Sequence, residues 1–281
     1  MVLFILTGSN MPFSSLSNQL WDFDSHGLAD LDKASLMNRV DTKFVVPTED
    51  LPEMLRRLQD QFSILEINGK RCFHYHSIYY DTPDYLFYSM HHNRRLNRYK
   101  VRVRHYVDSG TSYLEVKFKN NKGRTEKNRA KLKTDDLVRM QDHESFLQKH
   151  GVPHISSLVP ALENQYYRIA LASEERAERL TIDLNLTNLP LPAWREPQQQ
   201  TSFAVLELKQ ARIDRTSPFF AVAKDLRWRP SGFSKYCMGL ALAGCVESVK
   251  YNRFKPIIHR LKRTCSVNTH VPSTPLENVS C

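Results

Sequence analysis

No stretch of the 281 residues stays apolar for the roughly 20 positions that crossing a bilayer requires. The opening MVLFILTGSN is apolar but short, with no basic leader and no clear cleavage site, so a secretory signal is not expected. Met11 is a candidate start, which would make residues 1–10 an extension. Cysteine is scarce. Cys72, Cys237, Cys245, Cys265 and Cys281 are odd in number and show no metal-ligand spacing, which favours free thiols of a cytoplasmic protein over a disulfide framework. There is no Gly-rich phosphate loop, no Ser-His-Asp order, no internal repeat and no long linker. Acidic residues are in the minority, 30 Asp plus Glu against 40 Lys plus Arg, and the formal charge of +10 favours anionic partners such as phosphate compounds, nucleic acid or an acidic membrane surface.

What is present suits a globular chain of one large domain or two small ones, with 41% hydrophobic and 25% charged residues. Strand alternation marks 38–46, 98–107, 111–119, 123–132, 164–171, 178–186 and 203–210, and the aromatic run CFHYHSIYYDTPDYLFY reads as a strand broken at Asp81-Thr82-Pro83. Helical spacing follows Thr48 through Leu51, Leu55, Leu58 and Phe62. It recurs near 134–149 and, interrupted by RPSGFSKY, from Ser217 to about Val249. About eight strands with few long helices predict an α+β, β-rich fold, an antiparallel barrel covered by helices. The domain is expected over 35–250, after a lead-in at 1–34 and before a tail at 251–281 that is partly disordered from about Thr264.

The strands carry an unusual polar face. In NRYKVRVRHY, Arg98, Lys100, Arg102 and Arg104 share one face while Val101 and Val103 share the other. The same alternation groups Arg39, Asp41 and Lys43; Glu115, Lys117 and Lys119; Lys127, Arg129 and Lys131; and Glu207 with Lys209, opposite Ala204, Leu206 and Leu208. Asp183 stands between Ile182 and Leu184. An apolar face that needs covering and a face dense in cations are reconciled by an eight-stranded barrel turned inside out. Its apolar outside lies under helices and its charged faces line a wet tunnel. So many cations repel one another unless an anion joins them. The carboxylates among them are the hard oxygen ligands that Mg²⁺ or Mn²⁺ prefers.

The ordered segments NRVDTKFVV, SIYYDTPDYLFY, RYKVRVRHY, YLEVKFKNNKGRTEKNR, YYRIAL, LTIDLNL, AVLELKQ and SGFSKYCMG cover roughly residues 35–250. In this combination the sequence resembles the polyphosphate polymerase domain of the vacuolar-transporter-chaperone (VTC) type, within the triphosphate tunnel metalloenzyme (CYTH-like) superfamily. The resemblance implies a metal-dependent transfer of the γ-phosphate of ATP to inorganic polyphosphate inside the tunnel. It assigns catalytic contacts to Lys43, Arg102, Arg104, Lys117 and Lys235. It assigns phosphate-chain binding to Lys127, Arg129, Arg168 and Lys209, and the shared charged faces add Arg39 and Lys100. It places Mn²⁺ or Mg²⁺ on Glu207, with Glu115 and Asp183 as alternative metal contacts. The usual opening Glu-x-Glu-x-Lys of the superfamily appears as Arg39-Val-Asp41-Thr-Lys43, closer to the polymerase branch than to the hydrolase branch. The regulatory SPX domain and membrane helices of eukaryotic members have no counterpart, so regulation and export are not carried over.

Two rival readings use the same residues: a triphosphatase with water as acceptor, and a non-catalytic sensor of polyphosphate or nucleotide. A nucleic-acid partner is not expected, because the cations lie on strand faces with carboxylates among them and no recognition helix or stacking platform is evident. Asp81 reads as a turn residue, His74 and His76 as structural histidines, Tyr79, Tyr80 and Tyr85 as packing, and Cys237 as an unreactive thiol.

Overall fold

A computed structural model describes residues 13–33, 39–133, 138–191, 198–200, 202–243 and 249–264. In chain order its elements are α1 (Phe13–Leu20), β1 (Ser25–His26), α2 (Leu28–Lys33), β2 (Val40–Pro47), α3 (Leu51–Leu58), β3 (Ser63–Leu65), β4 (Phe73–Asp81), α4 (Leu86–His92), β5 (Arg98–Tyr106), β6 (Thr111–Lys119), β7 (Thr125–Leu132), α5 (Glu144–Lys149), β8 (Val159–Ser173), β9 (Glu178–Pro190), β10 (Gln198–Gln200), β11 (Phe203–Gln210), α6 (Pro218–Asp225), α7 (Lys235–Ala243) and α8 (Lys255–Thr264). The fold is α+β and β-rich. Eight strands are hydrogen-bonded in the order β2-β11-β9-β8-β4-β5-β6-β7. Its ladders β2–β11, β11–β9, β4–β5, β5–β6 and β6–β7 are antiparallel. The order is open: β2 and β7 stand at its ends, and no ladder joins them among the described residues. The backbone closure expected of a barrel is therefore not made. The end strand β7 is dense in Lys, Arg and Glu and largely exposed, as terminal strands that resist further pairing commonly are.

The chain divides into two compact units. The first comprises residues up to 73, 168–184 and 201–232. Its core forms where the apolar side of β2 meets α3 and α6. Phe44 and Val46 alternate inward, Leu51, Met54, Leu55 and Leu58 follow helical spacing, and all six are almost fully buried. Phe44 and Phe219 meet edge-on at 5.2 Å. The Trp228 indole N–H donates to Asp50 at 2.8 Å.

The second unit comprises 74–167, 185–200 and residues from 233 on. Val101, Val103, Leu114 and Val116 are fully buried on one face of β5 and β6, packed with Met140, Leu147 and Ile155 and with Phe87 of α4. Helix α7 packs with Tyr79, Tyr88 and Leu162. Gly239 permits that approach, since a Cβ there would lie 2.6 Å from both Asn188 Oδ1 and Leu162 Cδ2.

Several boundaries differ from the alternation. Residues 86–92 form helix α4 rather than continuing a strand, and β8 and β9 are longer than their patterns. The helix expected near 134–149 is a 3₁₀ turn at Met140–His143 followed by the short α5. Part of the expected tail is helical, as α8. Residues 1–10, 134–137 and 265–281, with Cys245, Cys265 and Cys281, lie outside the described residues. No helix among the described residues is long and apolar enough to cross a membrane.

Candidate phosphate-binding faces

The candidate residues fall into two sets, one in each unit. In the first unit, register places Glu207 of β11 opposite Lys43 of β2 and opposite Thr181 of β9. Lys209 stands opposite Asp41 and Arg179, and Val205 opposite Asp183. Directly opposed residues point to the same side, so the charges expected on one face do share it. The other side of β11 is apolar: Ala204, Leu206 and Leu208 are fully buried. Glu207 is ion-paired to Lys43 and, at 3.3 Å, to Lys209. Arg168 grips Asp183 in a fork, Nε to Oδ1 at 2.6 Å and a terminal nitrogen to Oδ2 at 2.8 Å. Arg39 donates to Asp41 at 3.1 Å. Burial, then Arg168, outweigh Asp41 and Asp183 and bring the Lys209 ammonium down to about 7.

In the second unit, β5, β6 and β7 build a ladder of charged rungs. Arg98, Lys119 and Thr125 stand side by side, then Lys100, Lys117 and Lys127, then Arg102, Glu115 and Arg129, then Arg104, Tyr113 and Lys131. Arg102 and Arg104 do not face open solvent: Arg104 is buried and Arg102 half-buried. Glu115, 2% exposed, receives Arg102 at 2.6–2.8 Å, Lys127 at 3.1 Å and Arg104 at 3.9 Å. Burial alone would raise its carboxyl. Arg102, Arg104 and Lys127 together outweigh that and hold it well below the ordinary carboxylate range. Tyrosines back the cations. Arg102 donates to the Tyr79 hydroxyl at 3.1 Å, the Arg129 guanidinium lies 4.9 Å from the Tyr113 ring, and the Lys235 ammonium lies 4.4 Å from the Tyr166 ring.

The first turn of α7 ties this face to the fold. Lys100 donates to Ser234 at 3.0 Å. The Tyr236 hydroxyl donates to Asp81 at 2.5 Å, and Tyr236 stacks on Tyr79 at 5.2 Å. Asp81 is more than a turn residue. It is fully buried and also accepts the backbone N–H of Thr82, Phe87 and Tyr88, each at 2.8 Å. It thus fixes the start of α4 and the start of α7 with one carboxylate. His76 stacks on His105 and His74 on Tyr167. The Cys237 thiol is buried and pushed up by that burial.

Three features escaped the sequence reading: the Asp81–Tyr236 bond, Ser234 and His91. Arg98 and Lys119 were placed on the charged faces by the alternation of their strands but not singled out as contacts. His91 carried no signal, because LFYSMHH shows no clear helical pattern.

Among the described residues, no three His, Cys, Asp or Glu side chains converge to hold a metal. Asp183 spends both oxygens on Arg168, and Glu115 is enclosed by three cations. Among the described residues Glu207 is paired with two lysines and keeps 20% exposure. A divalent ion that takes one protein carboxylate and fills its remaining positions with phosphate oxygens and water fits Glu207 best of the three.

The lysines give a pH prediction. Lys100 is brought down to about 8 by burial, and Lys209 to about 7. Unfolded, each binds its proton up to about 10.4. Between those values the unfolded chain holds more protons, so stability rises with pH. The penalty is full below about 7 and relieved progressively above it. The melting temperature of the ligand-free protein should climb from pH 7 to 9. Tripolyphosphate, which favours the charged lysines, should flatten the climb. A melting temperature that falls across that window would contradict these protonation states.

The VTC domain family model matches residues 38–243, most of the chain. The chain belongs to the VTC domain family. Among solved structures it is similar to a Bacillus halodurans protein designated an adenylate cyclase, with 12% identity and a TM-score of 0.46 over 70% of this chain and 94% of that one. It is also similar to HpAC1 from Hippeastrum, designated an adenylyl cyclase and described with a dominant triphosphatase activity, with 14% identity and a TM-score of 0.46 over 73% of this chain and 96% of that one. A third is PH1819 from Pyrococcus horikoshii, with 14% identity and a TM-score of 0.41 over 72% of this chain and 98% of that one. No curated protein matches the chain.

Proposed function

We propose that the protein is a phosphotransferase that moves the γ-phosphoryl group of ATP onto inorganic polyphosphate, with Mn²⁺ or Mg²⁺ as cofactor. One observation carries this reading most directly. Lys100, Lys117 and Lys127 are directly opposed on adjacent strands, an arrangement that destabilises the bare protein and suits a dense oligoanion. Membership of the VTC domain family supports the same substrate class.

In this reading a terminal oxygen of the polyphosphate chain attacks the γ-phosphorus in line. The bond from the γ-phosphorus to the bridging oxygen breaks, ADP leaves, and the chain is one phosphate longer. No covalent enzyme intermediate is needed. The protein's work is positioning and charge neutralisation. On the face of the second unit Arg102, Arg104, Lys117 and Lys235 hold phosphate oxygens, and on the face of the first unit Lys43 does so. Lys100, Lys127, Arg129, Arg39, Arg168 and Lys209 extend the cationic faces along the chain. A divalent ion held by Glu207 together with phosphate oxygens would neutralise charge on the phosphates. Glu115 and Asp183 act as counter-charges that fix the guanidinium groups in place.

The test is to incubate purified protein with ATP and Mn²⁺ or Mg²⁺ and resolve the products by gel and phosphorus NMR. ADP with a polyphosphate ladder is expected. Phosphate release without a ladder would move the assignment to a triphosphatase. Tight polyphosphate binding without ATP consumption would make the protein a sensor.

A further inference from the structure

At one end of the charged ladder in the second unit lies a cavity of about 160 Å³ lined by His91, Arg98, Tyr99, Lys100, Lys117, Lys119 and Thr125. It differs chemically from the neighbouring rung, where Glu115 offsets Arg102 and Lys127. Here Arg98 opposes Lys119 and Lys100 opposes Lys117, and no carboxylate among the described residues lines the cavity. Glu126 of β7 is in register with Phe118 and so belongs to the other face of the sheet. Among the described residues, every charged group facing His91 is therefore positive: Arg98 and Lys100 from β5, Lys117 and Lys119 from β6. β7 offers the neutral Thr125. The residue before α7 offers the Ser234 hydroxyl, bonded to Lys100, and α7 the Cys237 thiol, which burial keeps protonated. Burial, and then Lys100, Arg98, Lys117 and Lys119, bring the His91 imidazole down to about 3, so it is neutral at physiological pH.

An oxyanion in this cavity would cancel the field of the four cations and give an imidazolium a partner. The empty cavity disfavours the protonated ring, and the filled one favours it. We propose that the cavity is a proton-linked oxyanion site that holds the end of a phosphate chain, with His91 gaining a proton as the anion enters. The oxyanion chemistry stands on the lining alone, whereas the phosphate chain as occupant rests on the function proposed above.

Sulfate is the probe of choice, because it does not itself titrate in the range that matters. Lys100 contributes its own dependence above about pH 7, so the informative window is pH 5.5 to 7.0. Uptake of one proton per anion can change affinity by at most about tenfold per pH unit. Sulfate binding to the full chain, measured by calorimetry, should tighten by about fivefold from pH 7.0 to 5.5. Over the same step, NMR should show the His91 ring moving to its imidazolium position as sulfate is added. His91→Gln keeps a neutral polar side chain and should melt like the parent, bind sulfate at pH 7.0, and lose the tightening at pH 5.5. Lys119→Ala should weaken sulfate binding at both pH values, and tripolyphosphate should displace sulfate. Retention of the tightening in His91→Gln, or an unmoved His91 signal in the parent, would overturn the proton link. Unchanged sulfate affinity in Lys119→Ala would place the anion elsewhere. Failure of tripolyphosphate to compete would remove the phosphate chain as occupant. None of these measurements uses turnover. A missing polyphosphate ladder beside positive binding results therefore counts against the transfer reaction and leaves the site standing.

Discussion

Replacing Glu115 with glutamine is expected to destabilise the protein by about 3–5 kcal/mol, the range for removing one partner of a buried charge cluster. The carboxylate is 2% exposed and is the shared counter-charge of Arg102, Arg104 and Lys127. Glutamine keeps the shape, but three cations beside the opposed pair Lys100 and Lys117 then face one another with no anion among them. A loss of this size lowers the melting temperature by roughly 10 °C in a chain this long. The defect should also be conditional. Tripolyphosphate supplies the missing negative charge, so it should restore much of the loss and bind the variant more tightly than the parent. Thermal melts with and without tripolyphosphate decide the matter. A variant that melts with the parent would show that Glu115 is not the counter-charge of this rung. A variant that melts low and is not rescued by the anion would show that its cations do not reach a ligand.

This outcome separates two roles that residue type alone left together. By residue type and alternation Glu115, Asp183 and Glu207 are equivalent, each a carboxylate among cations on an alternating strand, and only the family resemblance set Glu207 apart. Alternation shows which side of a strand a residue takes, because the side-chain period is fixed at two. Arg102 and Arg104 could therefore be set apart from Val101 and Val103, and the β6 bounds of 111–119 came out as expected. Register is not encoded locally, since it depends on how turns and long-range packing align two strands. That Lys100, Lys117 and Lys127 share a rung, or that Glu115 lies under two guanidinium groups, was for that reason not readable. The same limit explains β8 and β9. Pro160 and the Asn188–Pro190 stretch look like breakers, yet both lie within strands held by long-range pairing. Asp-Thr-Pro is a turn signature and a turn does follow Asp81, but nothing local reveals that Tyr236, 155 positions away, donates to it.

Glu207→Gln should be the more selective lesion, cutting turnover by roughly 100- to 1000-fold, the scale of losing one electrostatic stabiliser of a charged transition state. Its environment differs from that of Glu115 in ways that predict a different phenotype. Glu207 keeps 20% exposure and is held by two lysines rather than by guanidinium forks. Lysine ammoniums are compact, mobile point charges, so when the carboxylate is neutralised Lys43 can re-solvate, and the half-buried Lys209, already brought down to about 7, can release its proton. Stability should then change by about 1 kcal/mol or less. Tripolyphosphate affinity should hold or rise, because one repulsive charge has left the face. What should disappear is the anionic oxygen that a divalent ion needs. Mn²⁺ binding, followed by electron paramagnetic resonance in the presence of tripolyphosphate, should weaken at least tenfold, in the range seen when a metal site loses part of its support. The measurement thus has four arms: melting, tripolyphosphate affinity, Mn²⁺ affinity and turnover. Loss of Mn²⁺ affinity with intact melting and intact phosphate binding is the signature of a metal-holding carboxylate. If Glu207→Gln binds Mn²⁺ as the parent does and turns over normally, the ion is held elsewhere and Glu207 is only the ion-pair partner of Lys43 and Lys209.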